Sequence, residues 1–251
     1  METEELLSTW RTRFADPVHG WDFGELGDAL IAEEPPWSYA DWAATALRGA
    51  TSALDMGTGG GEVLAGLADS VGLPADTVAT EGWAPNLPVA REALAPLGVE
   101  VVAYDAEASA AMPFPDGRFD AVLNRHEAFV ASEVARLLKP GGRFLTQQVD
   151  GRSVDRMRRV FGGASAQDHI TLDHLTAEVA AAGLQVERSE DWVGRLAFAD
   201  VETLIGYLRM VPWEVPDDFT VDRYAETLLD LHRSGDLEFE QRRFVLLARR
   251  P

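Results

Sequence analysis

Two rhythms of hydrophobic positions alternate through the middle of this chain. Short apolar runs of strand character recur near 51–56, 77–81, 99–104, 119–124 and 143–149. Between them, apolar residues repeat at helical spacing near 61–71, 86–96 and 128–138, and in the last stretch Val130, Val134, Leu137 and Leu138 share one face. Lys139-Pro140-Gly141-Gly142 ends that helix, because proline cannot continue it and glycine supplies a left-handed cap. A helix near 171–182, with Leu172, Leu175 and Val179 inward, and strands near 184–195 and 240–249 complete the series. Such alternation predicts an α/β fold, a mostly parallel sheet covered by helices.

Two segments fall outside the rhythm. Residues 1–50 read as helices broken at Asp16-Pro17 and Pro35-Pro36. Residues 199–238 carry two helical patterns, Val201, Leu204, Ile205, Leu208 and then Val221, Tyr224, Leu228, Leu231, around a proline-bounded turn from Val211 to Pro216. The expected organisation is an N-terminal helical segment at 1–50, a core formed by 51–198 and 239–251, and a helical insertion at 199–238.

The most informative stretch is Ala53-Leu54-Asp55-Met56-Gly57-Thr58-Gly59-Gly60-Gly61-Glu62, an apolar run reaching an acid, a glycine-rich turn, then a helix. Strand, tight turn and helix in this order form the place where open α/β sheets bind nucleotide-like ligands. A dinucleotide fingerprint starting at Gly57 needs glycine at position 62, which is Glu62. The spacing is instead D-x-G-x-G-x-G, from Asp55 to Gly61. Two carboxylates, Asp55 and Glu62, bracket a helix N-terminus that would otherwise favour an anion, so a cationic or zwitterionic ligand suits the turn better than a pyrophosphate. The segment resembles motif I of the class I S-adenosylmethionine-dependent methyltransferases, whose ligand carries an ammonium and a sulfonium.

The resemblance continues at the following strand ends, in order, from about Ser52 to Gly142. Glu81, with Gly82-Trp83 behind it, stands 20 positions past Gly61, where an acid accepts hydrogen bonds from both ribose hydroxyls and Trp83 offers a face to adenine. Asp105-Ala106 resembles the station where an aspartate and the next backbone amide meet the adenine edge. Met112-Pro113-Phe114-Pro115-Asp116-Gly117-Arg118-Phe119-Asp120 is similar to a stretch of the small-molecule subfamily often called type 11. The resemblance therefore implies a three-layer Rossmann-like methyltransferase fold of seven strands, the last antiparallel beside the fifth, with helical caps at 1–50 and 199–238. It implies S-adenosylmethionine as cofactor, held by Asp55, Gly57, Thr58, Gly59, Gly61, Glu81, Gly82, Trp83, Asp105, Ala106 and Asn124.

Asn124-Arg125-His126-Glu127 departs from the family's usual fourth station. His126 is the candidate catalytic base, since an imidazole titrates near neutrality. A base is needed only where the attacking atom arrives protonated, because the thioether leaves without acid assistance. Gln147 and Gln148 interrupt a strand expected to be apolar, and Gln147 is the one expected to reach the ligand. Trp37 and Trp213, each following a proline in a loop, and Tyr207 are the aromatic candidates for acceptor binding.

Charge and composition narrow the partner. The chain has 251 residues and a formal net charge of −20, a field that repels phosphate backbones, so nucleic acid is not the expected substrate. The one basic run, Arg152, Arg156, Arg158, Arg159, reads as a solvated helix face. A small-molecule acceptor fits better. There is no cysteine, and the five histidines show no metal-ligand spacing, so no metal is expected and the cytoplasm is the compartment that fits. The acidic start lacks the character of a signal peptide, and no apolar run approaches ~20 residues, so no membrane partner is expected. A homodimer is compatible with these readings. The rival functions are another use of the same cofactor, catalytic or sensory, methylation of RNA or protein, and NAD(P)-dependent oxidoreduction, the last disfavoured by Asp55 and Glu62.

Overall fold

The structure, a computed structural model, describes residues 3–17, 23–105, 111–165 and 167–251. Its elements are α1 (Thr3–Ala15), β1 (Leu30–Ala32), α2 (Tyr39–Leu47), β2 (Ser52–Met56), α3 (Glu62–Ser70), β3 (Asp76–Glu81), α4 (Asn86–Leu94), β4 (Glu100–Ala103), β5 (Phe119–Arg125), α5 (Ala131–Leu137), β6 (Leu138–Val149), α6 (Asp155–Val160), α7 (Leu172–Ala181), β7 (Gln185–Phe198), α8 (Val201–Met210), α9 (Ala225–Ser234) and β8 (Glu238–Arg249). The chain forms two compact bodies. One comprises Met1–Pro35, Gly151–His169 and Trp192–Arg242; the other comprises Pro36–Asp150, Ile170–Asp191 and Arg243–Pro251.

In the second body the strands are ordered β7-β8-β6-β5-β2-β3-β4. Strands β6, β5, β2, β3 and β4 run parallel, and β8 pairs antiparallel with β6. Central parallel strands are buried on both faces, which is why every residue of β2 is buried. Alternation sends Leu54, Val122 and Phe144 to a core with Val134 of α5 and Val179 of α7. It sends Ala53, Ala121, Leu123 and Leu145 to the opposite core, against Trp42, Ala43 and Ala46 of α2. The three layers expected from the sequence are present.

One knot fixes the amino ends of β2 and β5. Asp120 Oδ2 accepts from the Thr51 amide (2.9 Å) and hydroxyl (2.8 Å), the Ser52 amide (3.0 Å) and hydroxyl (2.9 Å), and Lys139 Nζ (3.0 Å). Burial favours the neutral acid here, but these donors outweigh it and hold the Asp120 pKa well below the usual carboxylate range.

The first body has its own core. Leu6, Leu7 and Trp10 of α1 pack with Met157 and Phe161, with Leu204, Ile205 and Leu208 of α8, and with Leu228 and Leu231 of α9. The basic run is not a solvated face throughout. Arg158 is buried and bonded to Glu214 at 2.6 Å, while Arg156 pairs with Asp236 and Arg159 with Asp155.

The sheet has eight strands rather than the seven expected. The extra one, β1, lies within 1–50, a segment read as helical, where Leu30, Ile31 and Ala32 pair antiparallel with Phe198, Ala197 and Leu196 of β7. Three residues are too few to show a period of two, so the pairing partner creates this strand. Gly27, at φ 52°, turns the chain into it. Strand β7 also extends to Phe198, past the expected end near 195.

Candidate active site

The period of two that buries Ala53, Leu123 and Leu145 on the α2 face also decides what crowns that face. Two residues further along each strand come Asp55, Arg125 and Gln147, at the carboxyl ends where open α/β sheets take their ligands. Antiparallel β8 brings Arg243 to the same end, two residues before Val245. Asn124, Thr146 and Gln148 fall on the other face.

The turn after β2 needs its glycines. Gly57, Gly59 and Gly61 have φ of 64°, 63° and 92°, and Gly61 caps α3. A Cβ on Gly57 would lie 2.5 Å from Glu127 Cγ, whereas one on Gly59 would meet nothing within 4 Å. Gly59 thus presents bare backbone to open space. The turn is bonded to β3: Thr58 N donates to Thr80 O at 2.8 Å, and Gly59 N to Glu81 Oε2 at 2.7 Å. Glu81 Oε1 accepts from Trp83 N at 2.8 Å. Each oxygen of this buried carboxylate holds one amide and retains a lone pair for a further donor.

Two buried polar groups in this turn lack a natural complement. Thr58 Oγ1 is buried with no partner at hydrogen-bonding geometry among the described residues. Burial pushes the Asp55 carboxyl up to about 7; nearness of the Thr58 hydroxyl and Arg125 opposes the rise, and Glu81 adds to it. A cationic group near Asp55 would restore its charge. Gly82 lets the ends of β3 and β4 approach, since a Cβ there would stand 3.0 Å from Asp105 Cα. Trp83 and Asp105 are both exposed beside this approach, while Ala106 lies outside the described residues.

On the α2 face, Trp37 Nε1 donates to Gln147 Oε1 at 2.8 Å, and Gln147 Nε2 lies 3.2 Å from His126 Nε2. An indole N–H only donates, so the Gln147 oxygen must face Trp37 and its NH₂ must face the imidazole. His126 sits at φ 62°, unusual for a residue with a side chain, and its amide is bonded to Gln147 O at 2.8 Å. Desolvation of the ring, with repulsion from Arg125 and Arg243, pushes its pKa down. The residue retains some solvent exposure, and the two arginines lower its pKa in the same direction as desolvation does. The ring is neutral at physiological pH. Tyr39 completes the group: Arg125 stands over its ring at 5.9 Å and its hydroxyl donates to Asn124 O at 3.4 Å. Burial, reinforced by Asp55, keeps that phenol protonated.

Asn124 is fully buried on the opposite face. Its Oδ1 accepts from Thr146 Oγ1 (2.9 Å) and Gln148 Nε2 (2.7 Å), and its Nδ2 donates to Glu127 O at 3.1 Å. Its side chain is thereby taken up in holding the 124–127 turn. Tyr207 and Trp213 belong to the other body, where Tyr207 packs against Phe23 (5.4 Å) and Phe198 (5.2 Å) and Trp213 is 57% exposed. Arg125 and Arg243 were given no role by sequence. Continuing the alternation two residues past Leu123 and two before Val245 points to both arginines; Tyr39 follows the Ser38 cap of α2.

Residues 54–146 match the family model described as "Methyltransferase domain". Among solved structures, a proposed methyltransferase from Bacillus halodurans is 23% identical, with 84% of this chain and 97% of that one aligned and a TM-score of 0.61. A geranyl diphosphate methyltransferase in complex with SAM aligns over 96% of this chain and 94% of that one, at 16% identity and a TM-score of 0.52. The cyclase SpnF aligns over 97% and 92%, at 18% identity and a TM-score of 0.52. No curated protein matches the chain. The partnerless Thr58 hydroxyl, the buried Asp55 carboxyl and the bare backbone at Gly59 fit a cationic nucleoside. Residues 54–146 thus match a methyltransferase domain, the fold is the one shared by solved class I S-adenosylmethionine-dependent methyltransferases, and S-adenosylmethionine is the cofactor.

Proposed function

We propose that this protein methylates a small-molecule acceptor. The observation that carries the proposal is the cluster of Trp37, Tyr39, Gln147 and His126 on the face that also bears Asp55. Aromatic surface with a few fixed polar groups suits a compact organic ligand, and the net charge of −20 argues against RNA. Geranyl diphosphate methyltransferase, which shares the fold, is named for a small acceptor.

When bound, the cofactor supplies an electrophilic methyl group on a sulfonium. In this reading Asp55 stabilises the cationic part of the ligand, Glu81 accepts from the ribose hydroxyls, Gly59 gives it bare backbone, Thr58 offers its hydroxyl, and Gly57 and Gly61 shape the turn. Gly82, Trp83, Asp105 and Ala106 form the adenine side, and His126 and Gln147 with Trp37 form the acceptor side. Asn124 supports the latter through the 124–127 turn. Alignment and exclusion of water are the domain's main contributions, which in favourable cases lower a barrier by roughly 7–11 kcal/mol. The segments at 1–50 and 199–238, with Tyr207 and Trp213, are proposed to select the acceptor.

Purified protein should retain S-adenosylmethionine or S-adenosylhomocysteine detectable by mass spectrometry. With isotopically labelled cofactor it should transfer the methyl group into a small-molecule extract. Label appearing only in RNA or protein would overturn the small-molecule reading, and preferential binding of NAD would overturn the cofactor assignment.

A further inference from the structure

The Trp37–Gln147–His126 chain carries more than a lining role. Its direction is fixed at one end by chemistry. Trp37 can only donate, so Gln147 Oε1 accepts from it at 2.8 Å and Gln147 Nε2 is left facing His126 Nε2 at 3.2 Å. Because the facing group is a donor, His126 Nε2 must be the bare nitrogen, and the proton of the neutral ring must sit on Nδ1. No second hydrogen bond of the ring occurs among the described residues. The main chain is committed to the same arrangement, since His126 is held at φ 62° by its amide bond to Gln147 O, 2.8 Å long. A side chain kept in the left-handed region by its surroundings is a feature that clusters at functional sites.

We propose that Trp37 and Gln147 are positioning residues that lock His126 as its Nδ1–H tautomer, so that the ring offers a hydrogen-bond donor to an oxyanion of the bound ligand. Arg125, next in the chain, and Arg243 supply the positive surroundings that an oxyanion needs and an imidazolium does not. In this arrangement His126 does not collect a proton: the lone pair a base would use already accepts from Gln147. The inference deepens the reading of this end of the sheet as the acceptor side and rests on it. The oxyanion belongs either to the amino-acid carboxylate of the cofactor or to the acceptor.

The tautomer can be read without any ligand, so it fails or stands separately from the methyltransferase reading. In protein labelled with nitrogen-15 at histidine, the His126 resonances, assigned by their loss in His126→Asn, should show a protonated Nδ1 and a bare Nε2. Gln147→Glu places an acceptor where the donor was; Nε2 should then become protonated and the His126 pKa should rise. Trp37→Phe frees the amide to turn and should mix the tautomers. A wild-type ring protonated on Nε2, or a tautomer indifferent to Gln147→Glu, overturns the proposal. For the ligand, His126→Ala is compared with His126→Asn, which keeps a donor. If the partner is the cofactor carboxylate, His126→Ala weakens S-adenosylhomocysteine by about tenfold and leaves 5′-methylthioadenosine, which lacks that group, unchanged. If it is the acceptor, both nucleosides bind as before and the acceptor KM rises about tenfold with kcat little changed. In either case His126→Asn recovers most of the loss; equal failure of the two variants with kcat abolished would restore the base and overturn the donor.

Discussion

The Gly59 amide donates to Glu81 Oε2 at 2.7 Å, so the turn after β2 and the end of β3 are one hydrogen-bonded unit. Glu81 therefore shapes the turn as well as offering lone pairs to a ribose. Its removal costs both. Glu81→Ala should weaken S-adenosylhomocysteine by at least about tenfold, about 1.4 kcal/mol. Glu81→Gln should lose nearly as much, because its NH₂ must confront one of the two amides, Gly59 or Trp83, that the carboxylate now satisfies. Calorimetry with S-adenosylhomocysteine measures both, and unchanged affinity in either variant would remove Glu81 from the site.

Asp55 gives the site a pH dependence whose sign follows from its burial. Its carboxyl titrates near 7 in the folded protein, against about 4 in an unfolded chain. Between those values the folded state keeps a proton that the unfolded state has lost. The contribution of Asp55 to cofactor-free stability is therefore greatest below about pH 4 and declines as pH rises to about 7. A ligand carrying a cation binds the ionised form, so affinity for S-adenosylhomocysteine should strengthen as pH rises through 7. Asp55→Asn should flatten both trends, raise the melting temperature near pH 8 and weaken the ligand about tenfold or more. Differential scanning calorimetry and titrations in buffers of different ionisation heat test the pair; an affinity independent of pH would refute it.

The sequence made the glycine turn legible because Asp55, Gly57, Gly59 and Gly61 depend on local backbone needs, and the central strands legible because burial on both faces leaves long apolar runs. β1 was hidden because three residues carry no period and their strand exists only through β7. Arg125 and Arg243 were hidden for a different reason. Each is an ordinary exposed-type residue whose meaning comes from the face it shares with Asp55 and Gln147, which requires strand registers. Asn124 shows the converse, since its strand-end position was readable while its network with Thr146, Gln148 and the Glu127 carbonyl was not.

Asp120 should dominate acid sensitivity at the amino end of the sheet. Its pKa is depressed, so its contribution to stability is complete above about pH 4, where an unfolded aspartate is ionised, and is lost as pH falls through the folded value. Asp120→Asn cannot accept from all five donors now converging on Oδ2, and hydrogen bonds to charged groups contribute about 1.5–3 kcal/mol. A loss of about 2 kcal/mol near neutrality is expected, shrinking toward low pH as the wild type is protonated. Urea titrations at several pH values measure it. A constant difference down to pH 2 would show that the knot does not depend on the charge.

The pair Arg158–Glu214 is the sharpest test of what holds the first body. The two groups meet at 2.6 Å with side-chain exposures of 6% and 10%, and Arg158 Nη1 has no partner among the described residues. An ion pair so buried gains little over a well-packed apolar pair, because desolvation of both charges offsets their attraction. Losing one member is different, since the other stays buried and uncompensated. Glu214→Ala should therefore destabilise this body by about 3–5 kcal/mol, whereas Arg158→Met combined with Glu214→Leu should cost much less than that single change. Because the chain forms two bodies, a single melting temperature can blend two transitions, so hydrogen exchange resolved by peptide is the better measure. Protection should fall in α8 and α9 in the single variant and persist in β2, β3 and β5. Equal losses in the single and double variants would show that the space left by the side chains, rather than the orphaned guanidinium, sets the cost.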